Sequence, residues 1–311
     1  MIKNNYYFYP DFSKNSGLGH FFRCLKYSKL INNCNKFFLY KKNYDKKLKD
    51  ILFKNKIKIL KINKKNFFSL NKNNNILIID TYKKGKNNFL NYKYFSKILI
   101  ISDKKPIIQN SDIIIDHTYN RNPFFYKKEK NKGIKCYVGI FFFPFKKILK
   151  KKEKKNIILI NFGGVEDINL IIKSLKIAVK LGYNKKILII SNNFSIKKIP
   201  KYCNYLNIKI VKFIENLDYI YAKTFLSFGA SGISLYEKVS FEIPSITTFV
   251  ARNQINNYRN FSKSNLIIKL NDSNKLNYNQ LIKKIMLVKK NLNIFVKKID
   301  HSKVSTILKN L

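Results

Sequence analysis

The feature that most limits the fold of this chain is an alternation that runs nearly its whole length. Short continuous apolar runs take turns with longer stretches patterned at helical spacing. Tyr6–Tyr9 is predicted as a first strand, and Phe21–Ile31 as the helix after it, with Phe21, Leu25, Tyr27 and Ile31 toward one side. Further strands are predicted at Phe37–Tyr40, Ile57–Leu60, Ile76–Ile79, Ile98–Ile101 and Ile113–Ile115. Unbroken apolar runs suit parallel strands covered on both faces, because neither face meets water. Residues 146–156 interrupt the pattern with Lys146, Lys147 and a run from Lys150 to Lys155, which reads as a solvated connector. The alternation then restarts. Strands are predicted at Ile157–Asn161, Ile187–Ile190, Ile208–Val211, Thr224–Ser227 and Ser245–Val250, helices at Ile168–Leu181 and Ser231–Phe241, and a helical tail from Gln280 to Leu311. The expected fold is α/β, with two doubly wound parallel-sheet lobes, 1–145 and 157–311, facing a cleft.

Composition allows such cores and narrows the partners. Hydrophobic residues make up 45% and aromatics 15%, which excludes general disorder. The formal charge of +46 points first to nucleic acid. Yet only Arg23, Arg121, Arg252 and Arg259 are arginines among 63 basic residues, and base readout and phosphate forks favour Arg. Lys, Asn, Ile, Phe and Tyr rise together, as in a chain drifting toward AT-rich codons. Dispersed lysines attract anions weakly and with steep salt dependence, so no specific nucleic-acid partner is expected. No apolar run reaches the roughly eighteen residues of a membrane span, and Met1–Pro10 lacks the order of a signal peptide. A cytoplasmic protein is expected. Cys24, Cys34, Cys136 and Cys203 show no paired spacing, and His20, His117 and His301 are far apart, so neither a metal nor a cofactor is expected.

Against this drift, glycine clusters carry information. Six of the ten glycines form three pairs: Gly17 with Gly19, Gly163 with Gly164, and Gly229 with Gly232. Each pair sits where a predicted strand gives way to a helix, the place where open α/β sheets bind ligands and helix N-termini face anions. The first group runs from Asp11 through Gly17, Gly19 and His20 to Arg23; a histidine and an arginine at this spacing favour a functional loop over a plain turn. The second, Asn161 to Asp167, reads equally as a phosphate-facing turn or as a tight turn whose acidic pair, Glu166 and Asp167, caps the next helix. The third, Gly229 to Gly232 with Ser231, suits a pyrophosphate, and Glu237 lies further along the same helix. Taken alone, Glu237 is an ordinary solvated residue. Arg252, Asn253 and Gln254 follow the Ser245 strand as a polar trio. Asp80 with Tyr82, and Asp103, end strands of the first lobe; for the two aspartates helix capping is the stronger reading.

In this order the pieces resemble one family, the hydrolases that cleave UDP-2,4-diacetamido-2,4,6-trideoxy-β-L-altropyranose in pseudaminic acid (nonulosonate) biosynthesis. Asp11 and the run from Gly17 to Leu25 match its Asp and its Gly-x-Gly-His-x-x-Arg-Cys-Leu in type and spacing. Asp80-Thr81-Tyr82 resembles its Asp-x-Tyr, Phe162 to Asp167 its Phe-Gly-Gly-x-Asp with one added residue, and Asn253-Gln254 its Asn-Gln. Gly229 to Glu237 resembles its Gly-Gly-x-Ser-x-Trp-Glu, with Ala230 and Tyr236 substituted. The resemblance implies the two-lobed GT-B fold, shared with the glycosyltransferase that adds N-acetylglucosamine in peptidoglycan synthesis. It implies His20 as general base for water, with Asp11 and Tyr82 in the catalytic group. It implies a UDP-sugar held by Gly17, Gly19, Arg23, Gly163, Gly164, Gly229, Ser231, Gly232, Glu237, Asn253 and Gln254, with Glu237 on the ribose and no metal. The alternative is a GT-B glycosyltransferase in which an acceptor hydroxyl replaces water. A scaffold with a decayed site fits less well with the retained His20, Arg23 and Glu237.

Overall fold

The computed structural model describes residues 4–11, 18–40, 46–62, 74–81, 92–104, 111–145, 155–163, 167–181, 186–192, 194–203 and 207–311. It divides into two compact units: residues 1–144 with 300–311, and residues 145–299.

The first unit holds a sheet of seven parallel strands: β1 (Asn5–Pro10), β2 (Asn35–Tyr40), β3 (Lys58–Lys61), β4 (Asn75–Asp80), β5 (Lys97–Ile101), β6 (Ile113–Asp116) and β7 (Lys135–Val138). Their spatial order is β3-β2-β1-β4-β5-β6-β7. Winding therefore runs outward in both directions from the β1/β4 pair, which is the topological switch point. Alternate side chains explain why both faces are covered. Tyr6, Phe8, Ile76 and Ile78 enter one core with α1 (Gly19–Lys29) and α2 (Lys46–Lys54), while Tyr7, Leu77 and Ile79 enter the other with Phe95 and Tyr126. All six residues of β4 are buried, as a central parallel strand requires. β7 has no continuous apolar run; its sequence Lys-Cys-Tyr-Val is only half-buried at the sheet edge, which is why the pattern did not reveal it.

The second unit has six parallel strands: β8 (Ile157–Asn161), β9 (Lys186–Ile190), β10 (Asn207–Val211), β11 (Thr224–Ala230), β12 (Ser245–Thr248) and β13 (Ile268–Lys269). The order is β10-β9-β8-β11-β12-β13, with its switch point at β8/β11. The helices are, in chain order after α3 (Lys127–Asn131) of the first unit, α4 (Ile168–Lys180), α5 (Asp218–Lys223), α6 (Ile233–Ser240), α7 (Ile255–Lys263), α8 (Leu270–Ser273) and α9 (Tyr278–Val296). A capping box, Asn277 with Gln280, starts α9.

Two boundaries differ from the sequence reading. The helical tail is broken: α9 stays with the second unit, and α10 (Lys303–Lys309) folds with the first. Val304, Ile307 and Leu308 enter the core of α1 and α2, and the Tyr6 hydroxyl donates to the Leu308 carbonyl at 3.0 Å. An i, i+3, i+4 stripe says that a helix buries one face; it does not say against which lobe. The expected connector 146–156 lies outside the described residues except at its end. There Lys155 Nζ donates to the Phe241 carbonyl at 3.2 Å, and the Asn156 N–H to the Lys223 carbonyl at 2.9 Å, within the second unit. No helix among the described residues is long and apolar enough to cross a membrane.

Candidate functional site

At the first switch point, β1 and β4 run in parallel register so that Pro10 pairs with Asp80. The Asp11 N–H continues the ladder by donating to the Asp80 carbonyl at 2.6 Å. α1 starts at Gly19, which puts His20 in its first turn and Arg23 one turn on, on the same side. Both reach Asp80. The His20 Nδ1–H donates to Asp80 Oδ1 at 2.5 Å, and Arg23 Nε donates to Oδ2 at 2.6 Å while its Nη2 donates to Oδ1. A carboxylate only accepts, so the contact fixes the proton on Nδ1 and leaves Nε2 as the basic nitrogen. His20, Arg23 and Asp80 are 4%, 2% and 0% exposed, so the arrangement is held by packing as well as charge.

Asp80 is thus the shared acceptor of His20 and Arg23 rather than the helix cap expected for it. Burial pushes its pKa up, but the charges and hydrogen bonds of Arg23 and His20 outweigh burial and hold the carboxyl well below the usual carboxylate range. His117, just after β6, is far from His20 in the sequence, yet its Nε2 accepts from Arg23 Nη1 at 3.1 Å. Burial first, then Arg23 and Arg121, push the His117 pKa well below its ordinary value, so it is neutral and its proton sits on Nδ1. The neighbouring Asp116 anchors this strand end. It accepts from Arg121 Nε at 2.7 Å, the Tyr126 hydroxyl at 3.0 Å and the Thr118 N–H at 2.8 Å. Asp80 stood out in the sequence as the end of a strand, but its partnership with His20 and Arg23 depends on the strand order, which sequence spacing alone could not supply.

The second switch point joins two of the glycine groups, since Asn161 of β8 pairs with Gly229 of β11. Gly163 follows β8 at φ +79°, and its N–H donates to Asn161 Oδ1 at 2.8 Å, so glycine is there for a left-handed turn. Asp167 caps α4 by accepting from the Asn169 N–H at 2.8 Å, one of the two roles the sequence left open for this segment. Gly229 is the last but one residue of β11, where the strand enters the turn. A Cβ there would stand 2.3 Å from the Asn161 carbonyl oxygen and 2.5 Å from Lys238 Nζ. Close packing therefore demands this glycine by itself. The Ser231 hydroxyl is spent on the sheet, donating toward Thr247 Oγ1 at 3.2 Å and the Thr248 carbonyl at 3.1 Å. Gly232 starts α6 beside Gln254, whose Nε2 would be 3.2 Å from a Cβ at that position. Gln254 Oε1 accepts from the Val250 N–H at 3.0 Å, which brings the polar trio to the turn, with Asn253 half-buried on the same segment. Glu237 is half-buried, and its Oε2 accepts from the Tyr221 hydroxyl at 3.0 Å. Gly17, Tyr82 and Gly164 lie outside the described residues. Among the described residues, no group of three or more His, Cys, Asp or Glu side chains is placed to hold a metal ion.

Two parallel sheets, each doubly wound about its own switch point, with helices interleaved, define a GT-B-like fold, the fold class expected from the sequence. Solved structures share it over nearly their whole length. MurG of Acinetobacter baumannii is 12% identical at a TM-score of 0.67, covering 100% of both chains. A UDP-glucosyltransferase from Polygonum tinctorium capable of glucosylating indoxyl is 11% identical at 0.65, covering 99% of this chain and 98% of that one. UGT2 of Phytolacca americana, complexed with UDP-2fluoro-glucose and pterostilbene, is 9% identical at 0.71, with the same coverages of 99% and 98%. No family model and no curated protein sequence matches this chain.

Proposed function

We propose that this chain is an enzyme that uses a UDP-sugar and transfers its glycosyl group to a hydroxyl deprotonated by His20. The observation that carries this is the buried His20–Asp80 pair at the β1/β4 switch point, braced by Arg23. With its Nδ1–H hydrogen-bonded to Asp80, His20 presents Nε2 to take the acceptor's proton, and the carboxylate stabilises the imidazolium that forms. The acceptor oxygen bonds to the anomeric carbon, the bond from that carbon to the diphosphate oxygen breaks, and UDP leaves with the electron pair. The nucleotide belongs to the second unit, with its diphosphate over the Gly229–Gly232 turn at the start of α6 and Glu237 on the ribose. Backbone N–H groups and the helix dipole there offset the leaving-group charge without needing a metal.

The named transferase among the fold's neighbours supports an alcohol acceptor. A second reading, with water in its place, rests on the match of Asp11 and Gly17 to Leu25 to the hydrolases of UDP-linked diacetamido-trideoxy sugars. Following UDP release from a panel of UDP-sugars, with and without added acceptor alcohols, tests both. Release only with an acceptor supports the transferase, and release in its absence supports the hydrolase. No release from any donor, together with no UDP binding, would sink the proposal.

A further inference from the structure

Lys238 has no part in the function proposed above, yet it occupies the least expected place for a lysine. It is the one lysine in the buried class among the described residues, at 0% exposure. It sits in the second turn of α6, and helical side chains lean toward the N-terminus of their own helix. The four-carbon stem thus carries the ammonium back toward the carboxyl end of β11, where a Cβ at Gly229 would stand 2.5 Å from Nζ. Glycine at 229 makes room for it. Among the described residues Nζ has no hydrogen-bond partner.

Electrostatics then singles out one kind of ligand. A buried ammonium without a partner is costly, and here it lies toward the positive end of a helix, which disfavours it again. Glu237, the adjacent carboxylate, already accepts from Tyr221. Burial still holds the lysine pKa down to about 8 despite Glu237, so that carboxylate does not fully compensate it. An anion above the Gly229–Gly232 turn would relieve both penalties, since the backbone N–H groups of the first helical turn and Nζ would act on it from one side. Compositional drift explains lysines in solvated positions; it does not explain one placed in the core, where a neutral residue costs nothing.

We propose that Lys238 is the buried counter-charge of a phosphate site at the Gly229–Gly232 turn, selecting a phosphoryl or diphosphoryl group through its field rather than by direct contact. Only the identity of the ligand, the diphosphate of a nucleotide sugar, rests on the function proposed above. Titration calorimetry on the full chain with UDP, uridine and inorganic pyrophosphate tests it, using the wild type, Lys238→Met and, as a second neutral variant, Lys238→Leu. The expected result is about a tenfold or greater loss of UDP and pyrophosphate affinity in both variants, from removal of one charge in a low-dielectric site, with uridine unchanged. A merely structural role would move uridine and UDP alike, and that outcome overturns the proposal. So do variants that bind pyrophosphate and UDP as the wild type does, although the UDP-sugar function would then stand. Lysine-dependent binding of pyrophosphate without binding of UDP would keep the phosphate site and remove the function. Binding of none of the three by the wild type overturns both.

Discussion

Replacing Lys238 by Met should stabilise the protein at neutral pH, an unusual sign for a core substitution. The lysine is fully buried, and its pKa falls from 10.5 to about 8, mainly through burial. The same group in the unfolded chain keeps its ordinary value. Below pH 8 both states carry the proton, and the folded state bears the whole penalty, which at 1.36 kcal/mol per pKa unit is about 3 kcal/mol. Between pH 8 and 10.5 the unfolded chain binds more protons than the folded one, so stability rises with pH across this window. Met has nearly the same length and occupies similar space without a charge. Denaturant unfolding of both proteins should therefore show Lys238→Met more stable by up to about 3 kcal/mol at pH 7, with most of that advantage gone by about pH 10. A variant less stable than wild type at pH 7, or an advantage that does not change with pH, would refute the assignment of a buried, uncompensated charge.

Three further outcomes follow from the same geometry. His20→Asn should lower glycosyl transfer by about two to four orders of magnitude, the usual effect of losing a general base, while UDP affinity measured by calorimetry stays within error. Asp80→Asn should cost a comparable factor, because an amide can donate to Nδ1 and turn the proton to Nε2. It should also remove the acid sensitivity that Asp80 confers. That carboxyl has a depressed pKa, so its stabilisation is present above about pH 4 and is lost as pH falls below the ordinary carboxylate value, as acid unfolding of the two proteins would show. Gly229→Ala should destabilise by several kcal/mol, because its Cβ meets the Asn161 backbone oxygen at 2.3 Å. Adding Lys238→Ala should not rescue it, since the backbone clash remains, whereas Gly232→Ala meets only the movable end of Gln254.

The fold was legible because its signal is periodic. Most central strands of the two sheets are continuous apolar runs, β11 and β12 being mixed with Ser, Thr and Gly, and each was placed to within a few residues. What escaped was either short or settled by tertiary contacts. β13 has two residues, β7 is a half-buried edge, and α10 shows an apolar face whose destination no local pattern fixes. The site divides the same way. His20 and Arg23 were visible because one helical turn separates them, and spacing along a helix is written in the sequence. The meeting of Asp80 and His117 with Arg23 was not, because it comes only through the order of the strands, although Asp80 stood out as a strand-end residue. Gly229 shows the opposite failure. It was noticed for its scarcity and its neighbours, and the structure gives it a packing reason that involves Lys238, a residue hidden among some sixty others of its charge.

The same contrast accounts for two of the four places where arginine survives in a chain that has otherwise turned to lysine, Arg23 and Arg121. Arg23 contacts both oxygens of Asp80 and, with its third nitrogen, His117. Arg121 donates through Nε to Asp116 and through Nη2 to the Thr118 hydroxyl and the Asp103 carbonyl, with its flat face 4.3 Å from the Phe125 ring centre. A lysine would bring the same charge on a single nitrogen, unable to reach two carboxylate oxygens and a third partner at once or to stack on a ring. Buried ion pairs add little net stability, since desolvation offsets much of their attraction, so the directions these arginines impose matter more than their charge. Both directions converge on one short segment. Arg121 fixes Asp116, Arg23 fixes the adjoining His117, and Arg23 also clamps the carboxylate that orients His20. Lys238 marks the complementary case. A field at the head of α6 needs a charge but no direction, and there a lysine is sufficient.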